Sequence, residues 1–72
     1  MAISSDTLIC RQVEAALDQD RRTKDATIDV ACVAGMISLT GEVKGMATKT
    51  AAEELARTVS GVHGVDNELR VR

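Results

Sequence analysis

Ala26-Thr27-Ile28-Asp29-Val30-Ala31-Cys32-Val33-Ala34-Gly35-Met36-Ile37-Ser38-Leu39-Thr40-Gly41-Glu42-Val43 is the stretch whose reading decides the fold. From Ala26 to Val33 the apolar residues alternate, with Ile28, Val30 and Cys32 in one phase and Thr27, Asp29 and Ala31 in the other. Met36 to Val43 repeats the pattern, with Ile37, Leu39 and Val43 set against Ser38, Thr40 and Glu42. A period of two is that of a half-buried strand. Ala34-Gly35 lies between the two runs, and Gly35 supplies the positive φ that a tight hairpin turn needs. The pair is therefore read as antiparallel. With a two-residue loop, Val33 opposes Met36, Cys32 opposes Ile37, Val30 opposes Leu39 and Ile28 opposes Gly41, which keeps the apolar sets on one face. A bulge at Gly35 would shift this register by one. Gly41 leaves a gap on the core-facing side, read as either a bulge or room for a helix to approach.

Working outward, Ile9, Val13, Ala16 and Leu17 recur at helical spacing from about Asp6 to Gln19, with Cys10 beside the stripe and Arg11, Gln12 and Glu14 opposite. Ser5 or Asp6 is placed to cap the first turn. Asp18 to Asp25 holds no apolar residue and reads as a solvated loop. Beyond Gly45, Met46 to Ser60 carries a second stripe of Ala51, Ala52, Leu55, Ala56 and Val59. Lys49-Glu53 and Glu53-Arg57 are i,i+4 pairs on its wet side. Gly61 suits a left-handed cap. Val62 to Val71 alternates again, with Val65, Asn67, Leu69 and Val71 on one face; Asn67 is out of pattern and needs partners if buried. The order helix, hairpin, helix, strand predicts an α+β fold. It is a two-layer αββαβ sandwich, with a three-stranded mixed sheet and both helices on one face. The crossover between the second and third strands should be right-handed. Residues 1–5 are read as a tail and residues 6–72 as a single domain.

Composition narrows function. The chain has 72 residues, 44% of them hydrophobic, and no Phe, Tyr or Trp. Too short for two cores, it must fold on aliphatic side chains alone. A net charge of −2 without aromatic platforms argues against a nucleic-acid binder. No apolar run reaches the roughly 18 residues that a membrane span requires. Met1 to Gln12 lacks a basic segment followed by a long apolar one, so the chain reads as cytosolic or as part of a longer exported protein.

Cys10 and Cys32 are read as small, buried apolar residues, with a Cys10–Cys32 bridge as the alternative. His63 stands alone in a turn between helix and strand. With no CxxC and a single His, a four-ligand zinc site would have to draw on carboxylates, and no cofactor is expected. Enzymatic activity is the least expected class.

Taken together, the opening helix, Ile28-Asp29-Val30, Gly35 to Val43, Ala51 to Val59 and the closing Gly61-Val62-His63-Gly64-Val65-Asp66-Asn67-Glu68-Leu69-Arg70-Val71 resemble a BON domain, the family named for bacterial osmotic-shock and nodulation proteins. The resemblance covers about residues 6 to 72 and carries no catalytic set. Gly41 matches the family's most characteristic glycine, and Gly35, Gly61 and Gly64 are taken with it as structural. The resemblance implies a noncatalytic module of the bacterial periplasm or envelope that binds anionic phospholipid or a membrane-associated protein. Arg21, Arg22, Lys24, Lys44 and Lys49 are the residues expected to meet headgroups, at about 1 kcal/mol per charge. The alternative is a protein-interaction or oligomerisation module of a larger, even cytosolic, assembly without direct lipid binding. Its contact would be a sheet edge or the uncovered sheet face carrying Ala31, Val33 and Met36.

Overall fold

A computed structural model describes residues 5–72, and its elements follow the expected order. They are α1 (Ser5–Gln19), β1 (Thr27–Val33), β2 (Met36–Val43), α2 (Met46–Thr58) and β3 (Gly64–Val71). The expected tail over residues 1–5 lies outside the described residues except for Ser5, which is already helical. The second helix ends two residues before Ser60, and the last strand starts at Gly64 instead of Val62. Between them, the chain turns through Gly61.

The sheet order is β1-β2-β3, with β1 antiparallel and β2 parallel to β3. The hairpin keeps the register read from the sequence without interruption, from Val33 opposite Met36 to Thr27 opposite Glu42. Ala34 and Gly35 both take positive φ, +50° and +83°, as a two-residue type I′ turn requires. Gly41 is neither a bulge nor an opening for a helix. Its φ is +132°, and a Cβ there would lie 2.5 Å from the Thr27 carbonyl oxygen. What comes close is the neighbouring strand's backbone, and glycine is required at the contact.

One core fills the space between the sheet and both helices. Ile9, Val13 and Leu17 of α1 and Ala52 and Ala56 of α2 meet Ile37, Leu39 and Val43 of β2 and Leu69 of β3. Each large aliphatic fully buried here contributes about 1.5–3 kcal/mol. Alanines along α2 let it sit close to the sheet. By contrast, Ile28, Val30 and Cys32 of the edge strand β1 are only half-buried, because α1 covers that edge incompletely.

Three polar side chains fix the frame through hydrogen bonds to backbone groups. Asp6 does not cap its own helix: its carboxylate accepts the backbone amides of Ala34 (3.0 Å) and Gly35 (3.1 Å), tying α1 to the hairpin turn. Asn67 finds the partners that its half-buried position needs. Its Nδ2 donates to the Lys49 carbonyl at 2.9 Å and its Oδ1 accepts the Leu69 amide at 3.2 Å. The loop after α1 is not wholly solvated, because Thr23 is buried and its hydroxyl donates to the Leu17 carbonyl at 2.6 Å. That bond satisfies a carbonyl that the helix end leaves open.

Candidate functional site

The far end of the sheet from the hairpin holds an open groove of about 550 Å³. One wall is the loop after α1, which turns tightly because the Lys24 and Thr23 amides donate to the Asp20 carbonyl at 2.8 and 3.1 Å. With Thr23 anchored inward, Arg21 and Arg22 are carried on the outside of this turn. The other wall is the exit of β2 and the start of α2, with Glu42, Lys44 and Thr48. Arg72 closes the groove from the end of β3, where its amide donates to the Val43 carbonyl at 2.8 Å.

The four cations of the rim are not equivalent. Arg22 is held by Asp20, with Nε–Oδ1 at 3.1 Å, and its guanidinium also reaches Glu54 at 3.7 Å. The hydrogen bonds from Arg22 hold the Asp20 carboxyl below its ordinary range. Arg72 pairs with Glu42 at 2.7 Å. Both pairs are exposed and contribute little to stability. Arg21 and Lys44 are exposed and make no ion pair among the described residues. The carboxylates of Asp25 and Asp29 also line the groove, so its positive character is confined to the rim.

Of the five basic residues singled out in the sequence, the fold brings Arg21, Arg22 and Lys44 to this groove and leaves Lys24 and Lys49 off its lining. Lys24 is exposed on the same turn. Lys49 lies half-buried on α2, and Glu53, its expected partner, bonds Arg57 at 3.2 Å. Sequence reasoning missed Arg72, which joins the rim only because β3 runs parallel to β2 and ends beside it.

At the opposite end, the glycines serve packing. A Cβ on Gly35 would fall 2.2 Å from the His63 ring, and the Gly35 carbonyl accepts the His63 amide at 2.8 Å. Gly61 leaves room for the Ile9 side chain, and Gly64 lies under Met36. His63 is thus an exposed residue braced against the hairpin turn.

The outer sheet face changes character along its length. Its rows run Val33-Met36-Gly64, Ala31-Ser38-Asp66, Asp29-Thr40-Glu68 and Thr27-Glu42-Arg70, from apolar at the hairpin to acidic in the middle. Asp66 hydrogen-bonds Glu68 and repels its charge, which raises the Glu68 carboxyl above its ordinary value.

A profile of the BON domain matches residues 5–72. The chain belongs to the BON family. That match spans all five elements of this BON domain, and members of the family are generally noncatalytic binding modules. Among curated proteins, none matches the chain. No described helix of the domain is long and apolar enough to cross a membrane.

Proposed function

We propose that this BON domain is a noncatalytic module that binds anionic phospholipid headgroups at the groove end of the sheet. The observation that carries this reading is the convergence of Arg21, Arg22, Lys44 and Arg72 on one rim from three separate segments of the chain. Arg21 and Lys44 engage phosphate first, being free of internal carboxylates among the described residues. Arg22 and Arg72 exchange an exposed carboxylate for a lipid phosphate at little cost. A chain without aromatic anchors cannot insert rings at the interface, so the contact is electrostatic and weakens with salt. Attachment to the envelope would follow from such contacts.

Co-sedimentation with vesicles tests this. Binding to phosphatidylglycerol vesicles at low ionic strength, lost in high salt and absent with phosphatidylcholine, is expected. No binding at low salt would eliminate lipid as the direct ligand.

A second reading, contact with a protein partner, draws on the apolar row at the hairpin end of the outer face. There Val33 is 70% and Met36 47% exposed. Light scattering across a concentration series would reveal self-association through this row, and Met36→Lys should abolish it.

A further inference from the structure

The facing surfaces of α1 and β1 bring the two cysteines of the chain together. Cys10, on the sheet-facing side of α1, directs its thiol at the carbonyl of Val30, with Sγ 3.7 Å from the oxygen. Cys32 lies two residues further along β1, and the alternation of the strand puts its side chain on the same inward face as that of Val30. Both cysteines are free and half-buried. Both line one open cleft of about 380 Å³, together with Asp6, Thr7, Arg11 and Glu14. We propose that Cys10 and Cys32 form a reversible intramolecular disulfide that clamps α1 onto the edge strand β1.

The oxidant is a small disulfide such as oxidised glutathione, admitted by the cleft. The Cys10 thiolate attacks one sulfur of that disulfide, which breaks its S–S bond, forms a mixed disulfide on Cys10 and releases one glutathione thiol. Cys32 then attacks Sγ of Cys10 and expels the second glutathione thiol. Two electrons pass from the protein to the oxidant, and the two protein thiol protons end on the two released glutathione molecules. Burial first, and the neighbouring Cys10 second, push the Cys32 thiol up to about 12. In the mixed disulfide the Cys10 thiol is consumed, but burial and the Asp6 and Glu14 carboxylates still hold the Cys32 thiol above its ordinary value, so the second step quickens as pH rises. Partial cover by α1 leaves the β1 edge open enough for the first attack, and the clamp removes that freedom once closed.

The full chain, incubated with oxidised glutathione at mildly alkaline pH, provides the test by intact mass and thermal melting. The expected product is a monomer lighter than the reduced protein by two hydrogen atoms. Its Tm should be higher by roughly 10–20 °C, as a cross-link closing a loop of this length gives in a domain of this size. A dithiol reductant should reverse both changes. Cys32→Ala should stop at one glutathione on Cys10. A wild-type mixed disulfide that persists as pH is raised, a disulfide-linked dimer as the main product, or closure without a rise in Tm would overturn the proposal.

Discussion

At the hairpin end of the sheet the Asp6 carboxylate is consumed inside the molecule, accepting two turn amides, and the His63 ring fills the space beside Gly35. At the other end, eight β2 residues and roughly 26 Å away, Arg21 and Lys44 project from the rim with no internal ion pair among the described residues. Both ends are built from loops meeting strand ends, yet one directs its polar groups at backbone and the other at solvent. The difference separates positions that hold the fold from positions available to a ligand. Changes at the hairpin end should act on stability, and changes at the groove rim on binding.

The largest effect is expected from Gly35→Val. The side chain would meet the His63 ring and adopt a positive φ, costing on the order of 3 kcal/mol or more in chemical denaturation. A neutral result would break the claim that this end is structural. Asp6→Ala, which leaves two turn amides without their carboxylate, should cost about 1–2 kcal/mol in the same assay. At the other end, the double variant Arg21→Ala/Lys44→Ala should shift stability by less than about 0.5 kcal/mol while weakening anionic vesicle binding by about 30-fold, at about 1 kcal/mol per charge. The smallest effect belongs to the acidic middle of the outer face. Because Asp66 raises Glu68, the protonated pair contributes stability below the ordinary Glu range, and that stability is lost as pH rises through the raised value. Glu68→Gln, which keeps the hydrogen bond without the charge, should melt slightly higher than wild type at pH 7 and equally at pH 3.

The sequence made the hairpin register legible because Ile28, Val30 and Cys32 alternate against Ile37 and Leu39, and a slip by one would expose every apolar residue. It also marked Gly41 as unusual, although the reason lies in the Thr27 carbonyl across the strand pair, a contact that no local pattern encodes. Asp6 and Thr23 were misread for a related cause. A capping residue and a loop threonine look the same in sequence whether their partner is the adjacent turn, a hairpin 28 residues away or a helix end six residues back. At the groove, charge identified Arg21, Arg22 and Lys44, while Lys24, Lys49 and Arg72 were sorted only by which face of a turn, helix or strand end each occupies.

An NMR titration of the labelled chain with phosphatidylglycerol-containing bicelles tests the central claim most directly. Amide shifts should concentrate at Arg21 to Thr27, Glu42 to Thr48 and Arg72 and reverse with salt, with Val33 to Met36 and His63 to Val65 unmoved. Shifts centred on Val33, Met36 and Gly64, or none at low salt, would contradict it.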